Sequence, residues 1–280
     1  MMPIPKLSVI MPSYNSEATI ELAIESVINQ SFKDWELIVV DDGSTDMTRD
    51  KLHHHASLDK RIKVHHHKHQ GRGYARNKCL AHVRGELVGI CDSDDLSCPS
   101  RFQKQIEYLE RHPYVGVLGG QACGFTGNSV PDQGRLISWP PNSNDIHKAF
   151  NRRRMGIANC TAVIRTKLFK EHGGYCEELH RAQDYEFFAR LNSKGVEMSS
   201  LTEVLVFYKS NHPIPAYNYF RENYLYTEYA NYVLSGGTLS FKRFSQTARA
   251  RWGRSFLLVS YVKFFLLMTK RQFSTGLCQC

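Results

Sequence analysis

Three aspartates, Asp92, Asp94 and Asp95, fall within CDSDDLSC (91–98), directly after the apolar run ELVGI (86–90). Carboxylates two apart at a strand end suit a hard cation such as Mg2+ or Mn2+, which prefers oxygen ligands and leaves positions for water and substrate phosphate. The same letters also spell an Asp-rich turn that caps a helix beginning near PSRF. A second acidic pair, Asp41 and Asp42, heads DDGSTD (41–46). Gly43 to Asp46 read as a turn and helix cap, but that role does not need two adjacent acids. An acid after a second strand is well placed to bond a nucleotide's ribose or base. Asp184 stands in RAQDYEFFARL (181–191) beside Tyr185, Phe187 and Phe188. Partial loss of water there suits base chemistry, although a surface acid on a helix is the plainer reading.

Two other motifs carry less. GRGYAR (71–76) lacks the third glycine of a dinucleotide fingerprint and follows the third strand instead of the first. It reads as a helix start that turns Arg76 and Asn77 toward the ligand edge, where Arg76 offsets nucleotide or phosphate charge. The histidine runs HHH (53–55) and HHHKH (65–69) have no cysteine partners and no HExxH pattern, so loop or helix-end positions in solvent are expected.

These residues need a frame to bring them together. Apolar, β-branched runs occur at 6–11, 35–40, 61–66 and 86–91, with helix-like stretches at 16–30, 46–57, 72–83 and 100–111 between and after them. That alternation predicts an α/β fold, a mostly parallel sheet flanked by helices. Ligands of such sheets bind at the carboxyl ends of the strands. PSYN (12–15), DDGSTD and DSDD each follow a strand, so they converge on one rim. Later, 121–150 reads as loop, 161–166 and 203–208 as strands, and 181–194 as a helix. From 217 onward the pattern is helical.

The 280 residues carry a net charge of +9, unevenly spread. From 229 to 280 there are eight basic residues and no acid, which leaves residues 1–228 at a net of +1. The apolar FLLVSYVKFFLLM (256–268) is short of the roughly 20 residues that span a bilayer. Within 250–272 an interfacial helix on an anionic membrane surface is expected, with a helix packed on the body as the alternative. No signal peptide is visible at MMPIPKLSVIM, and the eight cysteines show no CxxC pair. Reduced thiols in the cytoplasm are expected, with the protein peripheral on the inner face of the cell membrane.

Taken in order, SVIMPSYNSEATIELAIESVINQSFKDWELIVVDDGSTD, GRGYARN, GICDSDD, GGY (173–175), QDYEFFARL and FYKSNH (207–212) resemble family 2 glycosyltransferases of the GT-A (Rossmann-like) fold. The resemblance covers roughly 6–212. It implies a GT-A domain at 1–215, with a nucleotide-sugar half at about 1–120 and an acceptor half at about 121–215, followed by a helical, basic and apolar tail at 216–280. It also implies inverting transfer from a nucleotide-diphosphate sugar, UDP favoured, to a hydroxyl of a glycan or lipid-linked acceptor. The pathway implied is cell-surface polysaccharide or lipopolysaccharide synthesis, with Mn2+ or Mg2+ as cofactor and no nucleic acid as partner. Carried over by motif, Pro12, Tyr14 and Asp42 contact base and ribose, Asp41 assists, and Arg76 lies near the nucleotide. Asp92 and Asp94 form the DxD, with Asp94 the direct metal contact. His212 stands near the diphosphate and metal, and Asp184 is the catalytic base. The family usually has an acid immediately before that base; here the residue is Gln183. A nucleotidyltransferase, or a non-enzymatic membrane- or nucleic-acid-binding protein, are the competing readings.

Overall fold

The computed structural model describes residues 3–127, 134–209, 217–238, 240–248 and 277–278. His212 and 250–272 therefore lie outside the described residues, apart from which each expected site residue is placed. In chain order the first half runs β1 (Leu7–Ser13), α1 (Ile20–Ile28), β2 (Trp35–Asp41), α2 (Thr48–Leu58), β3 (Ile62–His66), α3 (Arg72–Leu80), β4 (Leu87–Ile90), β5 (Leu96–Ser97) and α4 (Arg101–Arg111). The second half runs β6 (Val117–Phe125), β7 (Gly134–Ile137), α5 (Ser143–Asn151), a 3-10 turn (Asn159–Thr161), β8 (Val163–Arg165), α6 (Lys167–His172), α7 (Gln183–Ser193), β9 (Met198–Lys209) and α8 (Tyr217–Leu234). A further helix, α9, spans 241–248, and β10 is Leu277–Cys278.

The alternating residues of the first strands explain the layered fold. Leu7, Val9, Met11, Leu37 and Val39 enter one core, with Ile20, Ile24 and Val27 of α1 and Phe102 and Ile106 of α4. Ile10, Ile38, Val40, Val88 and Ile90 enter the other, with Ala75 and Cys79 of α3 and Phe187, Phe188 and Leu191 of α7. A strand buried on both faces needs helices on both sides, which is why WELIVVD is apolar almost throughout. Strands β4, β1, β2 and β3 lie side by side and parallel, so β1, β2 and β4 end on one rim.

Beyond β4 the sheet is mixed. β8 pairs antiparallel with β4 and β6, β7 with β6, and β5 with β9, whereas β9 runs parallel to β6. The stretch 121–150, expected as loop, holds the end of β6, all of β7 and α5. Its polar letters hide local order. Asn142 caps α5 by accepting the Asp145 N–H at 3.0 Å, and Gly124 packs under Ile137 where β6 meets β7. Helix α8 is not a free tail. Leu225, Tyr229 and Ala230 enter the α7 side of the core, and the Tyr185 hydroxyl donates to Asn231 Oδ1 at 2.9 Å. The cysteines also depart in part from expectation. Cys79, Cys91, Cys160 and Cys176 are free thiols, but Cys98 and Cys123 are disulfide-bonded. Linear spacing could not show this, because the sheet brings distant segments together in space.

Candidate active site

The rim begins with two loops locked to each other. The Asn15 side chain accepts the Thr45 N–H at 2.9 Å, while Ser44 Oγ accepts the Asn15 N–H at 2.9 Å. Glu17 accepts the Met47 N–H at 2.9 Å, and Thr48 Oγ1 accepts the Ser16 N–H at 2.7 Å. Pro12 and Tyr14 are thus held against the turn after β2.

The two acids of that turn divide their work. Asp41 is fully buried and accepts the Ser44 N–H at 3.0 Å; its other oxygen meets His66 Nδ1 at 3.1 Å and Arg49 Nε at 3.5 Å. Burial alone would push its carboxyl up, but the hydrogen bonds from Ser44 and His66 outweigh this and hold it below the ordinary aspartate value. Asp42 accepts the N–H groups of Gln70 and Gly71 at 2.9 and 2.8 Å, and His69 Nδ1 lies 2.9 Å from its Oδ2. It thereby fixes the 69–71 turn. His69 then stacks on Tyr14 with ring centroids 4.0 Å apart, making an exposed aromatic wall at the rim.

The aspartates after β4 separate as sharply. Arg101, the first residue of α4, is fully buried and spans the base of this loop. It donates to the Ile90 carbonyl at 2.8 Å and to Ser97 Oγ at 3.0 Å. Asp92 pairs with Arg76 Nη2 at 2.9 Å. Asp94 has its carboxyl raised, first by burial and then by the charge of Asp92, with Arg72 and Lys209 pulling it partly back. Asp95 turns inward and accepts the Lys209 N–H at 2.8 Å, tying this loop to the end of β9. Burial and the two neighbouring aspartates hold its carboxyl well above the usual range.

Arg76 connects this loop to α7. Burial would push its guanidinium toward neutrality, but Asp92, Tyr175 and Asp184 outweigh that and keep it charged. Its guanidinium lies 5.3 Å from the Tyr175 ring centroid. Tyr175 is pinned on three sides. Asn77 bonds its backbone N–H and carbonyl, both at 2.8 Å, and the Tyr175 hydroxyl donates to Asn159 Oδ1 at 3.1 Å. Asn77 is therefore a clamp on the 175–177 segment and is not directed at a ligand. Arg190 completes the clamp, gripping Glu186 on its own helix and the Gly174 carbonyl at 2.6 Å.

Asp184 sits in the first turn of α7, where the helix dipole favours a carboxylate, and accepts the Tyr185 N–H at 2.8 Å. The residue before the helix, Ala182, has φ +58°, a left-handed conformation that costs a non-glycine residue about 1–2 kcal/mol. Such strain is typical of functional sites. Gln183 is buried, and its Nε2 has no hydrogen-bond partner among the described residues; the same holds for Arg76 Nε and Asn159 Nδ2. An oxygen-rich ligand would supply acceptors to such donors, while Asp95 Oδ2 in the aspartate loop is a buried acceptor likewise without a partner among the described residues.

The fold therefore gathers Tyr14, Arg76, Asp92, Asp94 and Asp184 around one rim, with Pro12 at the end of β1, and buries both Asp41 and Asp42 beneath it. Sequence reasoning gave no role to Arg101, Asn159 or Tyr175. GGY at 173–175 was the one local signal for the last of these. The two histidine runs are not the solvent loops expected: His55 is buried in α2, His65 and His66 belong to β3, and His69 forms part of the rim wall. His53 and His66 bring their Nε2 atoms to 3.0 Å, and no group of three metal-ligating side chains forms among the described residues. Asp92 and Asp94 fit a divalent cation through their chemistry: two carboxylates, one raised by the other's charge, present oxygen donors at a strand-end rim.

The family model for Glycosyl transferase family 2 matches residues 8–173, and that for Glycosyltransferase like family 2 matches 154–235. TuaG of Bacillus subtilis, described as a "Putative teichuronic acid biosynthesis glycosyltransferase", is 43% identical over 212 residues, 73% of this chain and 79% of its own. Among solved structures, S. aureus TarS 1–349 in complex with UDP aligns with a TM-score of 0.61 at 25% identity, covering 89% of this chain and 73% of that one. The mannosyltransferase PcManGT from Pyrobaculum calidifontis, solved with GDP-Man and Mn2+, shares the fold at a TM-score of 0.60 and 16% identity. It covers 98% of this chain and 89% of its own.

Proposed function

The chain belongs to glycosyl transferase family 2, and from that premise we propose that it moves a sugar from a UDP-sugar to a hydroxyl of a glycan or lipid-linked acceptor, inverting the anomeric carbon. The observation that carries the reading is the rim itself. Asp92 after β4 and Asp184 at the start of α7 both act on the buried cation Arg76, and Asp94 lies under the charge of Asp92. That arrangement provides a cation-binding side and a carboxylate side around one guanidinium.

In this reading Tyr14 and His69 flank the nucleotide base. Asp42, through its hold on 69–71, positions that wall and accepts from the base or ribose with its remaining lone pairs. Arg76 stands near the diphosphate. Asp94, with Asp92, would hold Mn2+ or Mg2+, which supplies charge neutralisation for the departing diphosphate. His212 would stand close to it. Asp184 takes the proton from the acceptor hydroxyl as its oxygen bonds to the anomeric carbon, and the bond from that carbon to the diphosphate oxygen breaks. Residues 1–215 carry the donor-binding and reacting groups, and α8 and α9 complete the body around them. The basic 250–272 segment holds the enzyme at the cytoplasmic face of the membrane, where a cell-surface polysaccharide precursor is extended. The teichuronic acid role in TuaG's description and the UDP bound to TarS support this reading.

The test is a panel of nucleotide-sugars with Mn2+, scored first by thermal stabilisation and then by transfer, since a ligand bound only by the folded state raises apparent stability. At least one UDP-sugar should stabilise the protein in a Mn2+-dependent manner. Asp94→Ala should lose that dependence. Asp184→Asn should keep it and lose transfer by at least about a hundredfold, the scale of a general base. Full transfer by Asp184→Asn would remove that carboxylate as the base, whereas nucleotide-sugar binding without sugar transfer by the unaltered chain would point to nucleotidyl chemistry.

A further inference from the structure

A cavity of about 490 Å3, within the range of small-molecule sites, opens beside the rim between the start of α3, the segment before α7, and helices α8 and α9. It adjoins the reacting groups. Arg72 on its wall acts on Asp94, and Arg181 on its wall precedes Asp184 by three residues. A Cβ on Gly71 would lie 3.8 Å from His180 Nδ1, so α3 and the pre-α7 segment meet at its mouth.

The lining combines two recognition chemistries. Tyr226 of α8 and Phe241 of α9 stack with centroids 4.1 Å apart, and His180 meets Tyr226 edge-on at 6.4 Å. Apolar ring surfaces of this kind suit a sugar's C–H face. The charge is cationic. Arg181 pairs with Glu222 at 3.2 Å, whereas Arg72 is exposed and forms no ion pair among the described residues. A guanidinium free in this way binds carboxylate or phosphate oxygens in a forked geometry.

We propose that this cavity is the acceptor subsite and that it takes a glycan bearing an anionic group, a sugar carboxylate or a phosphodiester. Arg72 meets the charge and the Tyr226–Phe241 pair meets a sugar face. The proposal rests on the glycosyl-transfer reading above and names the acceptor class for it.

Calorimetry of the full chain with UDP and Mn2+ tests it, using three probes of similar length. These are a glucuronate–N-acetylglucosamine tetrasaccharide, a glycerol-phosphate trimer and neutral N-acetylchitotetraose. At least one anionic probe should bind tenfold or more tightly than the neutral one, and which of the two does so identifies the anion as carboxylate or phosphodiester. Arg72→Gln should remove the preference, and so should Ser245→Asp, which places a negative charge on the α9 wall without touching Arg72. Equal affinity for all three probes overturns the proposal, as does binding of none. Arg72→Gln that weakens UDP–Mn2+ stabilisation but keeps the preference places Arg72 on the donor side and also overturns it. Wild-type protein that UDP and Mn2+ fail to stabilise overturns the donor reading and this one with it. Intact stabilisation without anionic preference strikes this proposal alone.

Discussion

At the residue scale, five aspartates with the same side chain are given different roles by their neighbours. Asp41 is a buried brace, Asp42 holds a turn, Asp92 pairs with Arg76, Asp94 faces the rim, and Asp95 ties β9. The sequence showed the acids and their place at strand ends. It could not show which partners each side chain finds, because those partners, such as the 69–71 turn for Asp42 and Lys209 for Asp95, lie far off in sequence. The brace has a consequence that pH reveals. Asp41→Ala leaves the Ser44 N–H and His66 without their buried acceptor and should cost about 1–3 kcal/mol at neutral pH. The Asp41 carboxyl sits below its unfolded value of about 3.9. Its stabilisation is therefore present above that value and lost as pH falls through the folded one. Urea melts of both proteins from pH 7 downward should show the gap closing below about pH 4. A gap that stays constant would mean that lost packing alone accounts for the change.

At the element scale, the parallel half of the sheet was legible because a strand covered on both faces must be apolar throughout, and its helices must show a 3.6-residue stripe. Ile20, Ala23, Ile24 and Val27 are buried as that periodicity requires. The second half was obscured for the same reason in reverse. β7 is only four residues long and half-exposed, so it leaves no apolar run, and α5 follows closely after two prolines. The rim was legible as a place, but its walls depend on contacts between elements far apart in sequence, such as Asn77 with Tyr175. One such contact makes a sharp prediction. Gly43 has φ +78°, and a Cβ there would meet the His69 backbone nitrogen at 2.8 Å. Gly43→Ala should strain the turn after β2 and push on the 69–71 turn that Asp42 holds. A loss of about 1–3 kcal/mol is expected from overpacking. Weaker stabilisation by UDP should accompany it, read by thermal melts with and without nucleotide. Unchanged nucleotide stabilisation in a destabilised variant would separate the wall from the turn.

At the scale of the whole molecule, the charge is divided between a nearly neutral body and a basic C-terminal stretch. Helices α8 and α9 pack on the body and wall the cavity beside the rim. No described helix is long and apolar enough to cross a membrane. An anionic membrane surface would attract the basic stretch while the rim works on a glycan nearby. Each Lys or Arg near such a surface contributes about 1 kcal/mol, an attraction that salt screens. The full chain should co-sediment with phosphatidylglycerol vesicles and much less with phosphatidylcholine vesicles, and raising salt from about 0.1 to 1 M, which shortens the screening length from about 10 to 3 Å, should weaken binding. Replacing Arg251, Arg254, Lys263, Lys270 and Arg271 with glutamine removes five of the eight positive charges after 228 and retains the apolar FLLVSYVKFFLLM run apart from its lysine. If charge directs the attachment, this variant should lose the lipid preference and keep the UDP-dependent thermal shift. Equal binding to both vesicle types by the unaltered chain would leave the apolar run, without electrostatic help, as the only anchor.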